Sequence, residues 1–207
     1  RRGNVAVFSS NFVLYGDMSR RVMSLLKKFA PATEIYSIDE AFLDFSGVNP
    51  AALNGLGHEI ARTVKQQTGI PVSIGIAPTK TLAKIASKLC KQYPKLDGCC
   101  FMYRTQDIEK VLRKFPIEDV WGVGRRYAKM LKANGVDTAW DFTQLTPEWV
   151  RKRMSVVGLR MWKELRGEAC IGFGHSLTVI NHLYTGFTCI GDQHMNILRL
   201  SIDGIFD

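Results

Sequence analysis

Long apolar runs are missing from this chain, and no stretch is long enough to cross a bilayer as a helix. The opening Arg1-Arg2-Gly3-Asn4 lacks the architecture of a secretory signal. No segment repeats and none is of low complexity, so a solenoid or a disordered linker is not expected. Cysteines are few: Cys90, Cys99, Cys100, Cys170 and Cys189. None stands in a Cys-x-x-Cys pair, which argues against a zinc site. Their odd number without a secretory signal argues against a disulfide framework and for reduced thiols in the cytoplasm. Acids are outnumbered, 19 against 28 Lys and Arg, for a net charge of +9. That excess is unusual for an enzyme of small neutral substrates and points to a polyanion, either nucleic acid or an acidic membrane surface. Charge is itself scarce in residues 170–207, where Arg199 faces Asp192, Asp203 and Asp207. Residues 1–169 therefore carry +11.

What is present is ordinary globular composition, 46% apolar and 23% charged over 207 residues, enough for one or two domains with real cores. The organising stretch is Glu34-Ile35-Tyr36-Ser37-Ile38-Asp39-Glu40-Ala41-Phe42-Leu43-Asp44-Phe45-Ser46-Gly47. It reads as two short apolar strands, Ile35, Tyr36 and Ile38 leading in and Ala41, Phe42, Leu43 and Phe45 leading out. Asp39 and Glu40 fall where the strands meet. Neighbours within a strand point to opposite faces, but a hairpin tip breaks that alternation and lets both carboxylates converge. Such a pair is either a solvated turn or a hard-oxygen site for a divalent cation completed by substrate phosphate.

Around it the chain alternates in period. Residues 5–8 read as a strand, residues 11–29 as an amphipathic helix ended by Pro31, and residues 49–67 as a second helix with Pro50 at its start and Gly69 at its end. Residues 70–77 alternate as a strand, with Val72, Ile74 and Ile76 on one face and Ser73 and Gly75 on the other. Residues 79–92 form a helix on which Lys80, Lys84, Lys88 and Lys91 make one basic stripe. The stripe is either a solubilising face or the seat of an anion that offsets the mutual repulsion. After a strand over 98–103 the pattern turns all-helical. A helix over 106–114, a break at Phe115-Pro116-Ile117 and the turn Gly122-Val123-Gly124 ahead of Arg125 and Arg126 give a helix-hairpin-helix pattern. Glycines there allow close approach of a phosphate to a helix N-terminus, which binds DNA without reading its sequence. The alternative is a glycine turn between packed helices.

Ser37-Ile38-Asp39-Glu40-Ala41-Phe42-Leu43-Asp44 between strands resembles the palm hairpin of the Y-family, translesion DNA polymerases. Phe8-Ser9-Ser10-Asn11-Phe12-Val13-Leu14-Tyr15-Gly16-Asp17-Met18-Ser19-Arg20-Arg21 resembles that family's UmuC branch. Gly75-Ile76-Ala77-Pro78-Thr79-Lys80-Thr81-Leu82-Ala83-Lys84 and Asp119-Val120-Trp121-Gly122-Val123-Gly124-Arg125-Arg126 match in the same order. The resemblance covers roughly residues 5–170. It implies an α+β fold: a ferredoxin-like palm over 1–105, incomplete at its first strand and fingers, then an all-α thumb with a helix-hairpin-helix over 106–170. It implies metal-dependent, template-directed nucleotidyl transfer in an SOS-type damage response. Asp39 and Glu40 would be catalytic metal ligands for Mg²⁺, Lys91, Lys84 and Lys80 would hold the nucleotide, and Gly122, Val123, Gly124, Arg125 and Arg126 would hold DNA. Implied partners are primer-template DNA and dNTP, with a UmuD-type accessory subunit, a recombinase filament and the sliding clamp, and no membrane.

Two departures temper this. The family's first strand carries another metal-binding aspartate, and residues 1–8 hold no acid. A two-metal site with one ligand missing from this chain is therefore expected, together with impaired primer extension. Residues 171–207 do not resemble the family's little finger and read as an atypical tail from a truncated or frame-disrupted chain. The rival reading is a non-catalytic, sequence-independent DNA-binding module.

Overall fold

The computed structural model of the chain describes residues 9–173 and, as backbone, residues 197–202. The strand expected over residues 5–8 lies outside the described residues.

The sheet is built from both ends of the chain. Strand β1 (Ala32–Ile35) turns into β2 (Glu40–Asp44) as an antiparallel hairpin, with Ile35 opposite Ala41. Strands β3 (Val72–Ala77) and β4 (Cys99–Phe101) pair in parallel on the far side. Between the two pairs lies β5 (Ile197–Ile202), antiparallel to both neighbours, giving the order β1-β2-β5-β3-β4. Its register sets Ser201 beside Glu40 on one side and Ser73 on the other, so β5 runs toward the Asp39–Glu40 end of the sheet. The expected tail thus contributes a central strand. The six residues of β5 form no local pattern that specifies partners so distant in sequence.

Helices cover both faces. Helix α1 (Phe12–Leu26), capped by the Asn11 side chain, and α2 (Pro50–Thr68), ended by Gly69 in the left-handed region, pack Val22, Leu26, Leu53 and Ile60 on Leu43, Ile74 and Ile76. Helix α3 (Lys80–Gln92) lies on the opposite face. Gly75 permits its approach: a Cβ there would overlap Ala83 O and Ser87 N of α3. Covered on both sides, β3 is buried at all six positions, the Ser73 and Gly75 face included. Ile35, Tyr36 and Ile38 are about half exposed, because β1 is an edge strand and its hairpin turn projects beyond the helices.

The second unit is helical: α4 (Thr105–Leu112), a 3₁₀ turn (Ile117–Asp119), α5 (Arg125–Lys132), α6 (Ala139–Thr143) and α7 (Pro147–Leu165). Its core, including Leu112, Ile117, Val120, Leu131, Phe142 and Met154, is continuous with Leu82, Ile85 and Ala86 of α3 and with Phe42 of β2. Helix α3 is therefore the joint between the two units.

Candidate active site and nucleic-acid interface

Turn residues between β1 and β2 are folded by the backbone N–H groups of Tyr36 and Ser37, both donating to Glu40 O, and by the Ser37 hydroxyl donating to Asp39. The fold-back brings both Asp39 and Glu40 to the lining of an open cleft of about 450 Å³. Lys84, Lys88 and Lys91 of α3 line it too, together with Phe115, Asp119 and Trp121 of the helical unit. Asp39 and Glu40, expected to converge at the hairpin tip, both line this cleft.

Lysine placement follows helix geometry. Lys84 Nζ donates to Glu40 Oε2 at 2.9 Å and lies over the Tyr36 and Trp121 rings, 4.6 and 4.8 Å from their centroids. Lys91 lines the cleft two turns beyond Lys84, and Lys88 pairs with Asp119 at 2.9 Å. Lys80 does not line the cleft. It is 1% exposed, with Nζ 2.7 Å from both Glu34 Oε2 and Gly172 O. At the first residue of α3 it is held inward by these partners and by the Phe42 and Phe173 rings, 5.0 and 4.5 Å from Nζ to their centroids, although it shares a helix face with Lys84. Sequence reasoning missed Trp121, which it assigned only to the glycine turn. The ring stacks edge-on with Tyr36 and donates from Nε1 to Tyr36 Oη at 3.3 Å, joining the hairpin tip to the helical unit. An aromatic beside Gly-x-Gly was the available signal.

Gly122, Val123 and Gly124 are not among the residues that line the cleft, although Trp121 just before them is. Gly122 has φ +91°, a conformation that favours glycine, and a Cβ there would press on Met161 Cε. Gly124 is the N-cap of α5 and is open to solvent, as are Arg125 and Arg126. First-turn N–H groups of a helix have no intrahelical acceptor and present a partial positive charge. Val123 contributes only backbone to this surface. Its side chain is buried in the core and its N–H donates to Val120 O.

Titration is perturbed elsewhere. A hydrogen bond to Cys100 and burial push the Cys90 thiol up, while the same bond holds Cys100 down; burial pushes Cys99 up to about 12. At the start of α6, partial burial raises the Asp141 carboxyl. Hydrogen bonds from Thr138 and from the Thr138 and Asp137 N–H groups outweigh it and hold Asp141 below the usual carboxylate range.

The donor set suits a hard divalent cation: two carboxylates on the wall of a solvent-open cleft, with room for water and phosphate oxygens. Among the described residues no three or more His, Cys, Asp and Glu side chains gather as a metal-binding group, so Asp39 and Glu40 would be the protein's share there. No helix among the described residues is long and apolar enough to cross a membrane.

Comparison with known proteins bears on this arrangement. Residues 2–88 match the impB/mucB/samB family and residues 105–136 match the IMS family HHH motif. The chain is similar to Protein UmuC of Salmonella typhimurium, 46% identical over 173 residues, 83% of this chain and 41% of that protein. It is similar to DNA polymerase IV of Methanoculleus marisnigri, 34% identical over 155 residues, 74% of this chain and 41% of that one. It thus spans about two-fifths of the length of these curated relatives. Among solved structures, a DinB family error-prone DNA polymerase from Sulfolobus solfataricus aligns with a TM-score of 0.66 at 27% identity, over 78% of this chain and 48% of that one. The insertion ternary complex of Dbh DNA polymerase aligns with a TM-score of 0.63 at 28% identity, over 74% of this chain and 44% of that one.

Proposed function

The chain belongs to the Y family of DNA polymerases, on its UmuC-like branch, and on that premise we propose that the cleft serves template-directed nucleotidyl transfer in translesion synthesis. The observation that carries the reading is the meeting of Asp39 and Glu40 with Lys84, Lys88 and Lys91 across one cleft. In this reaction a primer 3′-hydroxyl attacks the α-phosphate of a dNTP and pyrophosphate leaves. Asp39 and Glu40 would hold Mg²⁺, which when bound favours the ionised hydroxyl and offsets charge on the phosphates. Lys91 and Lys88 bind triphosphate oxygens from the α3 wall. Lys84 joins them by exchanging Glu40 for a phosphate oxygen, and the Tyr36 and Trp121 faces keep its ammonium group in the opening. Lys80, buried against Glu34, supports the wall from behind. Gly124, Arg125 and Arg126 take the duplex backbone, with Gly122 and Val123 shaping the turn. Residues 1–105 act as the palm and 106–170 as the thumb. An SOS-type role and contacts with a UmuD-type subunit, a recombinase filament and a sliding clamp are inferred from membership alone.

Magnesium dependence separates this reading from a plain DNA-binding module. Nucleotide affinity measured by fluorescence anisotropy should rise with Mg²⁺, and Asp39→Ala should abolish the rise while leaving duplex affinity in place. Nucleotide affinity indifferent to both Mg²⁺ and Asp39→Ala, with DNA still bound, would favour the binding module.

A further inference from the structure

Glu164 is an acidic side chain without solvent exposure, in the last turn of α7, and the cleft makes no use of it. Its Oε2 accepts the Thr81 N–H of α3 at 3.0 Å. Its Oε1 accepts the N–H groups of Cys170 at 2.7 Å and Ile171 at 3.1 Å. Its backbone carbonyl accepts the Thr79 hydroxyl at 2.8 Å, and that same oxygen caps α3 by accepting from Leu82 N. Beyond Ile171, Gly172 O receives Lys80 Nζ, which also lies 4.5 Å from the Phe173 ring centroid. One residue of the thumb therefore fastens three things: the N-terminus of the lysine-bearing helix, the end of its own helix and the segment leaving it. A buried carboxylate is held by backbone N–H groups and a helix N-terminus, so its geometry is costly to change.

We propose that Glu164 is a positioning residue that makes thumb and α3 one mechanical unit, so that DNA held at the Gly122–Arg126 turn sets the aim of Lys84 and Lys91 at the nucleotide. The proposal rests on the polymerase reading of the cleft. Its chemistry lets one isosteric change test it. Both Glu164 oxygens accept N–H groups, so Glu164→Gln must turn its NH₂ toward a donor and break either the α3 half or the exit-segment half of the joint. Thr79→Val removes the hydroxyl that links the α3 cap to Glu164 O, and Thr79→Ser restores it.

The experiment compares the affinity of dATP with Mg²⁺ in the presence and absence of a dideoxy-terminated primer-template. In the unaltered chain DNA should tighten nucleotide binding by about fivefold or more, the lower range for coupled sites. In Glu164→Gln and Thr79→Val this ratio should approach unity while duplex affinity stays within about twofold, since no phosphate contact is removed. Thr79→Ser should keep the ratio. An unchanged ratio in a Glu164→Gln protein of normal circular dichroism would overturn the proposal. Hydrogen exchange gives a reading that needs no nucleotide: duplex DNA should raise protection of the Thr81, Cys170 and Ile171 amides in the unaltered chain and fail to do so in Glu164→Gln. If the chain binds no dNTP, the polymerase reading fails while this exchange result still tests the joint. Equal protection in both proteins sinks the joint itself.

Discussion

Lys84 sits where a carboxylate and an incoming phosphate compete for one ammonium group. Its bond to Glu40 lowers the negative charge that the hairpin tip offers to a cation and keeps a cationic partner ready for triphosphate. Lys84→Met should therefore move two affinities in opposite directions: Mn²⁺ binding, followed by electron paramagnetic resonance, strengthens severalfold, and dNTP binding weakens by about tenfold, the scale of one charge-assisted contact. The thiols make a separate prediction. Cys90 and Cys99 are buried and their pKa values are raised, so at pH 7.5 both should stay unlabelled by iodoacetamide in the folded chain and react on addition of denaturant. Mass spectrometry of tryptic peptides measures this directly.

Helix α6 depends on its first turn. The Thr138–Asp141 capping box satisfies N–H groups that a five-residue helix has few other means of satisfying. Asp141→Asn should lower stability by about 1 kcal/mol in urea unfolding. The pH dependence follows from the depressed folded-state pKa of Asp141. The contribution is fully present above the unfolded carboxylate value of 3.8 and is lost as pH falls below it through the folded value, so the difference between the two proteins should shrink in acid. Gly75 makes the contrasting case. Gly75→Ala forces a methyl group into the α3 backbone and should cost about 1–3 kcal/mol or more. These elements differ in how far the sequence reveals them. Helices α1, α2 and α3 were legible from apolar period and from Pro31, Pro50 and Gly69, and the acid pair from its place between two apolar strands, because all of these are local signals. The burial of both faces of β3, the inward turn of Lys80 and the reach of Trp121 to Tyr36 were not legible. Each depends on what the rest of the chain lays against it, and a lysine stripe looks the same whether its first member meets water or Glu34.

At the scale of the molecule, positive charge is concentrated in residues 1–169, and the exposed Arg125 and Arg126 lie beside a helix N-terminus. Duplex binding should be indifferent to sequence and should weaken with salt, with about −0.9 added to the log-log slope for each phosphate neutralised. Affinities for several unrelated duplexes over a salt series measure it, and Arg125→Ala with Arg126→Ala should flatten the slope by about 2 in magnitude. The placement of β5 between β2 and β3 has a consequence for how the chain reaches this state at all. A ribosome releases residues in order, and the hairpin and β3 emerge while the strand that joins them has yet to be made. Until Ile202 is free, the facing edges of β2 and β3 stand open, and unpaired strand edges attract one another between molecules. Closing the sheet joins Glu40 to Ser201, far apart in sequence, and contacts of such separation form slowly. Pairing of β5 thus follows the synthesis of every other described element, and until then the nascent chain carries two half-sheets with open edges.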